Sequence, residues 1–97
     1  MATSSVHLMA GLACMSDTIA NNTDLNNVTK PGTYYANNVT VTNKPTGITA
    51  KYFHLIVIGL VSGASVIQII STLGTDSVYY RGHYGTTWSA WRRVTST

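Results

Sequence analysis

The chain is expected to fold as a mainly β domain, a small antiparallel sheet or sandwich knob with at most one or two short helices, on three observations. Apolar and polar residues alternate at the two-residue period of a strand, most plainly from Val78 to Tyr84. Turn-forming groups recur between such stretches, at Lys30-Pro31-Gly32, Asn43 to Gly47, Ser62-Gly63, Gly74-Thr75-Asp76 and Gly85. Ionic side chains are scarce: the 97 residues include no Glu and only the acids Asp17, Asp24 and Asp76, so Thr, Ser and Asn carry the polarity. That chemistry suits β surfaces better than solvated helices. A chain of this length makes one domain with a single small core, burying about two-thirds of its unfolded surface.

The first 22 residues carry no turn signal before Asn21-Asn22 and are compatible with a strand, a short helix or a connector. Asp24 then suits the cap of a single helical turn whose Leu25 and Val28, three apart, both face the core. Lys30-Pro31-Gly32 ends it, with Pro31 pre-set for the first corner of a type II turn and Gly32 for the positive φ of the second. A strand begins at Tyr34 and Tyr35, and a short alternating run follows at Val39 and Val41 before the loop Asn43 to Gly47.

Lys51 to Val61 is apolar on both sides of the pleat. Tyr52, His54, Ile56, Ile58 and Leu60 face one way, and Phe53, Leu55, Val57 and Val61 the other. Such a strand must be covered twice, by the N-terminal segment or by another chain. Across the Ser62-Gly63 turn, Val66 to Leu73 sets Ile67, Ile69 and Leu73 against Val66, Gln68 and Ile70. The C-terminus reads as a hairpin about Gly85. Val78 to Tyr84 sets Val78, Tyr80 and Tyr84 against Tyr79, Arg81 and His83, and the returning strand, Thr86 to Val94, sets Trp88, Ala90, Arg92 and Val94 against Thr87, Ser89, Trp91 and Arg93.

The order of these pieces resembles a known family. The opening TDLNNVTKPGTYY from Thr23 to Tyr35, the loop end Pro45 to Ile48, the apolar strand pair and the tail YYRGHYGTTWSAWRR from Tyr79 to Arg93 are together similar to the pyocin-knob type domain of bacteriophage tail fibres and receptor-binding proteins. The resemblance runs from Thr23 to Val94. It makes residues 23–97 the knob-like β domain and assigns no role to residues 1–22, which are expected to be an N-terminal connector or shaft-proximal segment. It also implies a homotrimer in the virion, made in the host cytoplasm, attached to other tail or baseplate proteins, and binding saccharide on the bacterial surface without catalysis. A structural tail or baseplate component, or a carbohydrate-binding accessory domain of a phage depolymerase, are the rival expectations.

Within the hairpin, Tyr79, Arg81 and His83 share a face and offer stacking surface, a forked donor and a second polar ring, as a glycan or anionic polymer requires. They are the candidates for an exposed binding surface. Trp88 and Trp91 fall on opposite strand faces, so at least one is expected to be buried, and WSAW recurs as scaffold in the resembling family. An exposed indole is also a sugar platform. The candidate ligand-binding set is therefore Tyr79, Arg81, His83, Tyr84 and Trp88.

Other functions find little support in the residues. The three carboxylates are far apart in sequence, whereas a glycosidase needs a pair about 5 to 9 Å apart. His7, His54 and His83 are scattered, and His54 is expected to be a hydrogen-bonded core histidine. Cys14 lacks a cationic or His neighbour and no spacing suits zinc, so neither a nucleophile, a metal nor a cofactor is expected. The net charge of +3 is spread over Lys30, Lys44, Lys51, Arg81, Arg92 and Arg93 without a continuous stripe, which argues against nucleic acid. The apolar stretch within Met1 to Met15 has no basic leader and is too short to insert in a membrane.

Overall fold

The computed structural model describes residues 16–49, 51–60, 62–74 and 76–95; the readings at His7, Cys14, Val61 and Thr75 fall outside the described residues. The strands are β1 (Asp17–Thr18), β2 (Thr23–Asp24), β3 (Gly32–Asn37), β4 (Val41–Thr42), β5 (Tyr52–Gly59), β6 (Ser65–Thr72), β7 (Val78–Tyr84), β8 (Thr87–Trp88) and β9 (Arg92–Arg93). The main sheet has the order β1-β3-β5-β6-β7, with β8 and β9 both pairing with the far side of β7. The protein is mainly β, with a single 3-10 turn at Leu25–Asn27 among the described residues.

The centre of the sheet is antiparallel, as expected. Two short pairs depart from that pattern: β1 runs parallel to β3, and β2 runs parallel to β4 in a separate small sheet. Parallel neighbours require a crossover of a dozen or more residues. Here it passes through β2 and the 3-10 turn and delivers Leu25 to the core, fully buried. Asp24 caps the turn as expected, its Oδ1 accepting from the Asn26 amide at 2.9 Å. Upstream of β2, Ile19 is also buried in the core.

Asparagines shape the connections. Asn22, Asn38 and Asn43 all take positive φ, at 66°, 55° and 59°, a region Asn tolerates better than most residues. Asn38 turns the chain out of β3, so the alternation at Val39 and Val41 produces only the two residues of β4. Lys30 and Pro31 form a bend instead of the expected type II turn. Gly32, at φ 157°, is already the extended first residue of β3, far from the φ of about +80° which that turn demands.

The two faces of β5 and β6 divide as the alternation requires. Phe53, Leu55, Val57, Val66 and Ile70 form the core with Leu25, Ala36 and Val41. On the opposite face Ile58 lies across from Ile67, and Ile56 across from Ile69, which is itself across from Tyr80. This face is open to solvent, with Ile58 54% and Ile67 48% exposed. His54, expected in the core, lies on the open face and is exposed, its ring 4.8 Å from that of Tyr35. It shares the pleat side of Ile56, and the core gathers on the other.

The last expected strand is interrupted. Tyr84 and His83 pair with Thr87 and Trp88, whereas Tyr80 and Tyr79 pair with Arg92 and Arg93, so Ser89, Ala90 and Trp91 stand opposite only Gly82 and Arg81. One extra residue makes a β-bulge. It is anchored by the Ser89 amide donating to the Gly82 carbonyl at 2.8 Å and the Gly82 amide donating to Ser89 Oγ at 3.0 Å. An inserted residue reverses strand parity beyond it. Trp88 and Trp91, expected on opposite faces, therefore share the inner face and both pack against the core.

Candidate functional site

Tyr79, Arg81 and His83 do share a face of β7, but it is the packed one. They stand opposite Ile70, Gln68 and Val66, all buried. Alternation assigns residues to faces without saying which face is covered, and in β7 both carry aromatic rings. Arg81 is only 4% exposed.

What makes a buried guanidinium tolerable here is a polar relay with an aromatic clamp. Gln68, fully buried, donates from Nε2 to the carbonyls of Leu25 at 2.7 Å and Val28 at 2.9 Å, satisfying the 3-10 turn. Its Oε1 accepts from Arg81 Nε at 2.8 Å. Arg81 Cζ then lies 3.9 Å from the Trp88 ring centroid and 4.6 Å from that of Trp91, within cation–π range of both. Burial pushes the Arg81 pKa down to about 10, opposed by the charge of Asp24, so the side chain remains a cation at neutral pH. Its Nη2 is buried with no hydrogen-bond partner among the described residues.

Beside Arg81 a cleft of about 590 Å³ opens between two chain segments. It is lined by Asn43, Lys44 and Pro45 of the loop, Tyr79 and Arg81 of β7, and Trp91 and Arg93 of the C-terminal segment. Trp91 Nε1 donates to the Asn43 carbonyl at 2.8 Å, and Asn43 Nδ2 donates to Asp24 Oδ1 at 2.7 Å, so loop, indole and turn are tied together. Those bonds from Asn43 and the Asn26 amide hold the Asp24 carboxyl below its ordinary pKa, with partial desolvation opposing and Arg81 assisting. Arg93 Nη2 donates to Ser77 Oγ at 3.3 Å.

The expected ligand-binding set is thus divided. Tyr79 and Arg81 line the cleft, and Trp88 packs on Arg81 from within the fold. His83 and Tyr84 line a separate depression with Ser65 and Ile67. The His83 ring lies 4.7 Å from that of Trp88 and its Nδ1 is buried without a hydrogen-bond partner among the described residues, whereas Tyr84 is 83% exposed. Asn43, Lys44, Pro45 and Arg93 lie outside the residues the sequence singles out, and Trp91 lies outside the expected ligand-binding set. Trp91 was legible as an aromatic but misplaced by the bulge. Nothing in the local pattern joins Lys44 to a strand beginning at Val78.

The cleft brings together Lys44, Arg81 and Arg93, half of the chain's six Lys and Arg side chains, beside the rings of Tyr79 and Trp91. Among the described residues its lining includes no carboxylate, thiol or imidazole. Cationic donors next to aromatic faces are suited to recognition of a polar ligand with a flat apolar side. Among the described residues, no three His, Cys, Asp or Glu side chains are grouped to hold a metal ion, and no helix is long and apolar enough to cross a membrane. No known protein family, curated protein or solved structure matches the chain.

Proposed function

We propose that this chain is a non-catalytic attachment module, the knob of a bacteriophage tail fibre or related receptor-binding protein, which engages saccharide on the bacterial surface and works as a homotrimer in the virion. The observation that carries the reading is where the resembling segments meet. Leu25 of the TDLN opening, Arg81 of the YYR element and both tryptophans of WSAW are joined through Gln68, and Asp24 reaches Trp91 through Asn43. Segments that resemble one family in order thus also cooperate physically, and the cleft lies where they converge.

The open sheet face supports association with further copies of the same chain. Ile56, Ile58, Ile67, Ile69 and Tyr80 form a continuous apolar ladder over β5, β6 and β7, with Arg92 opposite Tyr80 at its border. Burying it displaces little charge, and three identical subunits meeting there give three saccharide sites on one particle arm. Weak individual contacts then add through effective concentration. The test is adsorption of the fluorescently tagged chain to susceptible cells, competition with phage, and mass by analytical ultracentrifugation. A strict monomer without adsorption overturns the reading.

One observation favours a structural fibre component instead: Arg81 and Trp88, expected to grip a receptor, hold the fold. Under that reading, changing Lys44 and Arg93 leaves particle infectivity intact.

A further inference from the structure

Among the described residues the Arg81 guanidinium has one hydrogen bond, to Gln68, and its Nη2 has no partner, although the residue is only 4% exposed and forms part of a cleft wall. Among the described residues no carboxylate pairs with it; Asp24 acts on it through space while its own hydrogen bonds go to Asn26 and Asn43. A buried cation is ordinarily neutralised by a partner. This one is instead held by two indoles, and two further cations, Lys44 and Arg93, line the same cleft.

Resting on the saccharide-attachment reading, we propose that the cleft selects acidic sugars: the carboxylate of a uronic-acid-type residue is held by Arg81, Lys44 and Arg93 while the apolar face of its ring lies against Trp91 or Tyr79. Arg81 supplies a fixed positive charge in the cleft wall, and because it is already immobilised little conformational entropy is lost when an anion settles beside it. The volume, about 590 Å³, falls in the range of small-molecule sites. The aromatic walls are what distinguish a sugar acid from a bare oxyanion, which has no apolar face to place there.

The test is an NMR titration of the ¹⁵N-labelled full chain, following the Trp91 Nε1–H and Arg81 Nε–H signals, with a galacturonate oligomer, its methyl ester, and inorganic phosphate. Saturable movement of both signals is expected with the acid, with the ester and phosphate at least about 10-fold weaker, as loss of charge-assisted hydrogen bonds or of ring contact implies. The Lys44→Gln/Arg93→Gln double variant, whose substitutions lie outside the core, is expected to keep its circular dichroism spectrum and weaken acid binding at least about 10-fold. Equal affinity for acid and ester, or no saturable movement, overturns the proposal. Phosphate binding as tightly as the oligomer overturns the saccharide part, and an unaffected double variant overturns the site. Cell adsorption that persists while the galacturonate oligomer neither binds nor competes removes this inference alone; acid binding without any adsorption removes the attachment reading instead.

Discussion

Replacing Gln68 by Leu is expected to be among the most damaging single changes in the chain, although it puts an apolar residue into a fully buried position. The change leaves the Val28 carbonyl without its donor, the Leu25 carbonyl with only the Val28 amide, and Arg81 Nε without its acceptor. Leaving a buried neutral group unsatisfied costs about 1 to 3 kcal/mol, and more for a charged one. The added apolar burial returns about 2 kcal/mol. The net loss is about 2 to 4 kcal/mol, a large part of the roughly 5 to 15 kcal/mol that holds a domain of this size. Urea unfolding followed by tryptophan fluorescence is expected to show the midpoint fall by about 1 to 2 M. Gln68→Glu sharpens the test. It offers Arg81 an opposite charge but has no donor for the two carbonyls, and is expected to be no more stable than the Leu variant at neutral pH. A Leu variant within about 1 kcal/mol of the parent, or a Glu variant more stable than it, refutes the relay.

Further outcomes follow from single contacts. Gly59→Ala places a Cβ 2.2 Å from the Ser65 carbonyl oxygen and 2.7 Å from Val66 Cα, at a φ of 154°, with backbone on both sides. A loss of more than about 2 kcal/mol is expected, seen as a melting temperature at least about 8 °C lower; an unchanged value refutes the close approach. Ile67→Asp, on the open face, is expected to leave circular dichroism unchanged while abolishing self-association in ultracentrifugation, and persistence of the oligomer assigns the interface elsewhere. Asp24 has a folded-state pKa below its ordinary value, so its contribution is complete above about pH 4 and is lost as pH falls through the lower folded-state value. Asp24→Asn is expected to flatten the acid limb of a stability–pH curve, and an unaltered limb shows that Asn26 and Asn43 do not hold the ionised form.

The elements legible in the sequence are those governed by local chemistry. The alternation from Val78 to Tyr84 became β7 with those same ends, Asp24 capped its turn, and Gly85 took the positive φ of a hairpin, at 68°. The two apolar sides of Phe53 and Ile56 were read correctly as belonging to opposite faces. The site was less legible. Tyr79 and Arg81 were singled out for the right chemistry, but as a solvent-facing pair, and the cleft depends on Trp91 meeting a loop residue, Asn43, 48 positions away in sequence.

Residue order by itself determined the β class, the strand faces and the small helical turn, because side-chain period, capping and turn propensity act over a few residues. Tertiary structure decided which face of β7 is covered, where both tryptophans point and what surrounds Arg81. Coverage depends on the crossover that brings Leu25 over the sheet, and side-chain direction on one extra residue at the bulge. A single inserted residue reverses every side chain beyond it, and a distant segment converts a solvent face into a core; neither effect has a local signature.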